Sequence, residues 1–127
     1  MPSAVLDASA VLAVINAEPG QEIVVDALDD ALVSAVNHAE VISKLVERGM
    51  TLDLARAAIR SIGVDVVDFD SDLAERAGEL RRETKHLGLS LADRACLALA
   101  ERESAVALTA DRHWDALKID IGIRLIR

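Results

Sequence analysis

The chain has 127 residues, enough for one domain that buries about two-thirds of its unfolded surface. Its formal net charge of −8 argues against a general nucleic-acid coat and fits an ordinary acidic enzyme or a site crowded with carboxylates awaiting cations. Hydrophobic residues reach 52% but aromatic ones only 2%, Phe69 and Trp114 with no Tyr, so the core must be built from Ala, Val, Leu and Ile, as suits short helices on a parallel sheet.

In Ala4-Val5-Leu6-Asp7-Ala8-Ser9-Ala10-Val11-Leu12 a short apolar run stops at one carboxylate, and spacing three and four then begins at Val11, Leu12 and Ile15. That switch reads as a buried strand followed by a helix, with Asp7 at the junction. Asn16-Ala17-Glu18-Pro19-Gly20 is a turn, and Gln21 to Leu28 is helical. A second strand is expected at Ala31 to Ala35. Asn37-His38-Ala39-Glu40 has capping-box spacing and predicts a helix start, with Val41, Ile42, Leu45 and Val46 as the apolar face and Gly49 as the stop. Thr51 caps a helix running to about Ile62, and Val64 to Val67 is a short strand.

The longest helix is expected from about Ser71 to Leu87, because Leu73, Ala77, Leu80, Thr84 and Leu87 recur at spacings of four and three. Ser90-Leu91-Ala92-Asp93 opens a helix to Arg102; Ala105 to Thr109 is a fourth strand, Asp111 to Leu117 a short helix, and Ile121 to Ile126 a last strand. Five strands alternating with seven helices predict an α/β fold, a mostly parallel five-stranded sheet with helices on both faces. No segment approaches the ~18 apolar residues of a membrane span and no secretion signal opens the chain, so a cytoplasmic protein is expected, with no membrane partner. Cys96, the single cysteine, falls in an apolar helical pattern with Ala92, Ala95 and Leu99 and reads as a buried, reduced thiol.

The acids carry the functional signal. Asp7 ends strand one, Asp111 follows strand four, and Glu40 and Asp93 lie in the first turns of helices. Each has a bland explanation, since capping and the helix dipole favour an acid there. In a parallel α/β fold, however, helix starts fed by strands cluster at the carboxyl edge of the sheet, where ligands bind. Two ionised carboxylates at ~5 Å and an effective dielectric of ~20 repel by about 3 kcal/mol, so such a cluster calls for hard cations. Mg²⁺ or Mn²⁺ suits an all-oxygen set that has no His or Cys group.

These residues give the chain a resemblance to the PIN-domain ribonucleases, specifically the VapC toxins of toxin–antitoxin pairs. The matching stretches are Val5-Leu6-Asp7-Ala8-Ser9, Ala39-Glu40-Val41, Ser90-Leu91-Ala92-Asp93 and Leu108-Thr109-Ala110-Asp111, four acids in family order across the whole chain. The resemblance implies a single PIN-like nuclease domain over residues 1–127. It also implies a metal-dependent endoribonuclease, the toxin of a type II pair, usually a homodimer, silenced by a cognate antitoxin. By the same resemblance Asp7, Glu40, Asp93 and Asp111 form the catalytic, metal-binding quartet, Ser9 and Thr109 support it, and Asp115 is a further candidate acid. The chain departs from the pattern after Asp111: many relatives carry an aromatic where this chain has Lys118, and its own aromatic is Trp114.

Metal-activated water requires no Ser, Cys or His nucleophile, and His38, His86 and His113 lie in no motif, so they read as solvated or structural. Arg76, Arg81, Arg82, Lys85, His86 and Arg94 concentrate positive charge, and Arg112 follows Asp111. Asp72 with Arg76 and Glu79 with Arg82 have helical pair spacing, whereas Arg81 and Lys85 lack such partners. That leaves Arg81, Lys85 and Arg112 as the candidates for RNA phosphates. Two other readings stand beside the nuclease. One is a different Mg²⁺-dependent phosphoryl-transfer or phosphatase enzyme, although no Asp-x-Asp follows strand one; the other is a non-catalytic binding module whose acids are caps only.

Overall fold

In the computed structural model, which describes residues 2–127, the first strand is the central one. Five strands, β1 (Ala4–Leu6), β2 (Ala31–Ser34), β3 (Asp65–Val67), β4 (Val106–Thr109) and β5 (Ile123–Leu125), form one sheet in the order β3-β2-β1-β4-β5. Every pairing is parallel, and Leu6 stands in register with Val33 on one side and Leu108 on the other. The chain builds outward from β1 through β2 to β3, then returns to place β4 on the opposite flank. The strand order therefore reverses between β1 and β4, and the crevice beyond their carboxyl ends is where an open α/β sheet binds ligands.

Seven α-helices cover the sheet: α1 (Ala8–Ile15), α2 (Gln21–Ala27), α3 (Ala35–Glu47), α4 (Leu52–Ile62), α5 (Ser71–Glu79), α6 (Arg81–Thr84) and α7 (Leu91–Glu103). Strand side chains alternate between the two faces, and the core divides accordingly. Leu6, Val33 and Leu108 pack with Val11, Val41, Leu45 and Ile59 of α1, α3 and α4. Val5 and Ala107 pack on the other face with Leu73, Ala77, Cys96, Leu97 and Leu99 of α5 and α7, and with Trp114. Both layers are mainly aliphatic, with the Trp114 indole buried in the second and Phe69 packed against it. Cys96 is the buried free thiol that was expected, and burial pushes its pKa well up, so it is inert as a nucleophile.

Three expectations need correction. The helix expected to open at Asn37 opens three residues earlier: Ser34 caps α3, its Oγ accepting from Val36 N at 3.2 Å, so strand and helix meet without a loop. Asn37 is consequently inside the helix and fully buried. The helix expected over Ser71 to Leu87 breaks at Leu80 into α5, α6 and a 3₁₀ turn at Lys85–Leu87. Gly78 weakens the preceding turn, and the Leu80 carbonyl collects the N–H groups of Glu83 and Thr84 together with the buried Thr84 hydroxyl at 2.9 Å, which tightens the chain there. The short helix at Asp111 to Leu117 is a 3₁₀ turn, Arg112–Ala116. The count of seven α-helices survives only because one helix splits where another is lost.

Candidate active site

Asp7 is the innermost acid of the site, 4% exposed, held where β1 gives way to α1. As the N-cap of α1, its Oδ1 accepts from Ala10 N at 2.9 Å and from the Ser9 hydroxyl at 2.6 Å, and its Oδ2 accepts from the Thr109 hydroxyl. The two hydroxyls are themselves fixed by the backbone of the β4 exit, Ser9 Oγ accepting from Ala110 N at 2.9 Å and Thr109 Oγ1 from Asp111 N at 3.0 Å. Each hydroxyl has one proton, and both protons go to the same carboxylate. The arrangement clasps the ends of β1 and β4 together around Asp7. Burial raises the Asp7 pKa from 3.8 to about 6; the bonds from Ser9, Thr109 and Ala10 oppose the rise, and the charge of Asp93 adds a little to it.

Glu40, Asp93 and Asp111 join Asp7 in lining one pocket of about 160 Å³, with Ala8, Ser9 and Lys44 completing the wall. Glu40 comes from α3, and its pKa is raised by burial and by Asp93 but lowered by Lys44 one turn further on. Asp93 belongs to the expected capping box: Ser90 Oγ accepts from Asp93 N at 3.1 Å, and Asp93 Oδ2 accepts from Ser90 N at 2.9 Å. Asp111 caps the 3₁₀ turn, its Oδ1 accepting from His113 N at 3.0 Å, with His113 Nδ1 also 3.0 Å away. Four acids from four separate stretches of chain thus face one space, although no three acidic, His or Cys groups among the described residues are gathered into a finished metal-ligand set.

The donor chemistry fits a hard divalent cation. Among the described residues, both Glu40 oxygens, Asp93 Oδ1 and Asp111 Oδ2 have no hydrogen-bond donor, and no His or Cys lines the pocket. At ~30 Å³ per water the space holds roughly five, which suits an ion that keeps much of its hydration.

A family model described as "PIN domain" matches residues 4–119. The chain belongs to the PIN-domain family. No curated protein sequence matches it, so the finer comparison rests on solved structures. A DNA-bound VapBC complex from Salmonella typhimurium is similar over the full length of both chains, at 20% identity and a TM-score of 0.78. A toxin–antitoxin complex from Klebsiella pneumoniae is 21% identical over 98% of each chain, with a TM-score of 0.75. The Mycobacterium tuberculosis toxin VapC20, described as cleaving the sarcin–ricin loop, is 22% identical over 94% of this chain and 99% of its own, with a TM-score of 0.70. At such identities these structures bear on the fold.

Within this PIN domain the other residues singled out from sequence divide cleanly. Ser9 and Thr109 are both in the Asp7 clasp, whereas Asp115 is exposed on the 3₁₀ turn and does not line the pocket. Arg81, Lys85 and Arg112 are exposed and likewise line neither the acid pocket nor any cavity described below. The expected pairs of Asp72 with Arg76 and Glu79 with Arg82 do not form: Arg76 binds Glu101 through Nε and Nη2 at 2.7 and 2.9 Å, and Glu79 through Nη1 at 2.7 Å. Arg94 is structural, donating to the Ala77 carbonyl at 2.9 Å and so tying α7 to α5.

Sequence reasoning missed two residues at the site. Asn37, buried, donates from Nδ2 to the Ala92 carbonyl at 3.1 Å and so locks the helix that carries Glu40 onto the helix start that carries Asp93. Lys44, one turn after Glu40, puts a cation on the pocket wall. Its i,i+4 spacing from Glu40 was a usable signal, while the role of Asn37 depends on a contact 55 residues away in sequence.

Proposed function

We propose that this PIN domain is a Mg²⁺- or Mn²⁺-dependent endoribonuclease of the VapC kind, the toxin of a type II toxin–antitoxin pair. What carries the reading is the set of four carboxylates, Asp7, Glu40, Asp93 and Asp111, on one pocket at the point where the strand order reverses. These residues would hold a divalent ion, which when bound would supply charge against the scissile phosphate and an activated water. The protein's own part is to hold the acids ready. Ser9, Thr109 and Ala10 all donate to Asp7, an arrangement satisfied by the ionised carboxylate, and at neutral pH a group with a pKa near 6 is mostly ionised. Lys44 offsets part of the charge that crowds Glu40.

The structurally similar VapBC and toxin–antitoxin complexes support an antitoxin as the natural partner. Val46 at the end of α3, with Leu52 and Leu54 at the start of α4, leaves apolar surface exposed at one end of that helix pair, available to an antitoxin or to a second copy in a homodimer. The cytoplasm is the expected compartment; no described helix is long and apolar enough to cross a membrane. The test is cleavage of RNA by purified protein with Mg²⁺, with Mn²⁺ and with chelator, for wild type and Asp7→Asn. Cleavage that needs the ion and vanishes in the variant is expected. Activity that persists in chelator, or a variant near the wild-type rate, refutes the metal-site reading.

A further inference from the structure

A cavity of about 540 Å³, lined by Arg82, Glu83, His86, Leu87, Ala116 and Lys118, shares no residue with the acid pocket. It gathers two full cations and an imidazole against a single carboxylate, in a chain that has 22 acidic residues to 14 Lys and Arg. Neither Arg82 nor Lys118 has an ion-pair partner among the described residues, because Glu79, the helical-spacing partner of Arg82, is taken by Arg76. The break at Leu80 also ends the α-helix on which that pairing rests.

Both walls of this cavity are joined by short stretches of chain to residues of the acid pocket. On one side Leu87 leads through Gly88 and buried Leu89 to Ser90, the cap that holds Asp93. On the other, Ala116 ends the 3₁₀ turn that Asp111 caps, with Lys118 just beyond, and buried Trp114 anchors that turn to the same core as Leu87 and Leu117. Five residues of 3₁₀ turn rise ~10 Å, the length of only a few nucleotides. The exposed edge of the cavity is therefore within reach of an RNA strand whose scissile phosphate lies among the acids.

Building on the nuclease reading, we propose that Arg82, His86 and Lys118 form a phosphate subsite that grips the RNA backbone a few nucleotides from the cleaved bond. Beyond an ion at the acid pocket and Lys44 on its wall, holding a polyanion calls for further cations, and Arg82 and Lys118 share one cavity with no ion-pair partner among the described residues. With Trp114 buried and no Tyr in the chain, the subsite offers charge rather than a stacking platform and holds backbone without reading bases.

The experiment compares wild type, Arg82→Gln/Lys118→Gln, the charge-keeping Arg82→Lys/Lys118→Arg, and an Arg48→Gln/Arg60→Gln control that removes two charges elsewhere. Initial cleavage rates are measured with Mg²⁺ or Mn²⁺ on an RNA long enough to fill both cavities and on one trimmed to reach only the acid pocket. For the glutamine variant KM on the long RNA should rise about tenfold with kcat unchanged, and the short RNA should be cleaved as by wild type. The slope of log KM against log salt should fall by about 1.4, the value for two lost contacts to a single strand. The charge-keeping variant should restore KM, and all variants should melt as wild type does. If the glutamine variant matches wild type, or merely matches the Arg48/Arg60 control, the subsite is overturned while the nuclease reading stands. If wild type cleaves neither RNA, the nuclease reading itself falls and the subsite falls with it.

Discussion

Replacing Asp7 by Asn should stabilise the protein in chelator at neutral pH. The Asp7 pKa rises from 3.8 to about 6 on folding because burial disfavours the charged form more than its three hydrogen bonds favour it. Between these values the folded state binds more protons than the unfolded one, so this group's contribution to stability is full below about pH 4 and declines as pH rises through 6. At ~1.36 kcal/mol per pH unit the loss by pH 7 is on the order of 3 kcal/mol. Asn keeps the shape of the side chain and the Oδ1 cap and has no charge to bury, but its NH2 stands where Oδ2 accepts from Thr109, which takes back about 1 kcal/mol of the gain. In chelator at pH 7 the variant should therefore melt higher by up to roughly 10 °C, taking 3–5 °C per kcal/mol for a domain of this size. The gain should shrink as pH falls and be gone by about pH 4. Mg²⁺ or Mn²⁺ should reverse the order, because an ion bound by the folded state stabilises wild type by mass action and the variant lacks the ligand. Melting curves of both proteins from pH 4 to 7.5 decide the matter; a variant that melts lower in chelator at pH 7, or a difference that does not change with pH, refutes the reasoning.

Thr109→Val deprives Asp7 of one donor and leaves Asp111 N without its acceptor, so it should cost ~1–3 kcal/mol in chemical unfolding and slow RNA cleavage, with Thr109→Ser restoring most of both. Asn37→Ala removes the bond from Nδ2 to the Ala92 carbonyl and unfastens α3 from α7; a loss of about 1 kcal/mol with a larger fall in kcat than in substrate binding is expected, measured by unfolding and by initial rates. Gly20→Ala combines a φ of +91° with a Cβ that would stand 2.2 Å from the Ile126 carbonyl oxygen, so it should destabilise by more than ~1 kcal/mol in the same unfolding assay without touching the site.

What the sequence made legible was local. The change of period after Leu6 identified β1, α1 and the Asp7 junction because the signals for strand and helix meet within a few residues. The Ser90–Asp93 capping box was readable because both of its hydrogen bonds lie inside four residues. The same spacing at Asn37–Glu40 misled, since a fully buried amide whose Nδ2 bonds across the fold looks, in one dimension, like a cap. The break at Leu80 was hidden for a related reason: Leu73, Ala77, Leu80 and Thr84 are all buried, so the apolar pattern continues through the interruption that the hydrogen bonds reveal. Glu79 had an Arg at three residues on either side, and the local rule cannot choose between them. Arg76 also binds Glu101 on α7, a tertiary contact that fixes Arg76 beside Glu79 and leaves Arg82 unpaired.

The opposition between capping acids and functional acids, natural in one dimension, dissolves in the fold. Asp7, Asp93 and Asp111 are each bound to backbone N–H at the start of a helix or 3₁₀ turn, Asp7 and Asp111 through Oδ1 and Asp93 through Oδ2. A capped carboxylate is already oriented and has already lost its rotamer freedom, and the N-terminal end of a helix lowers the cost of its charge. Asp93 and Asp111 each keep the second oxygen clear of protein donors. The cap is thus the device that aims the acid rather than a rival explanation for it. Glu40 is the exception: it lies past the first turn of α3 and caps nothing, burial raises its pKa, and the charge of Lys44 opposes that rise. Three of the acids are thus held by caps, while the fourth is held through its helix, which the contact of Asn37 with Ala92 fastens to the start of α7.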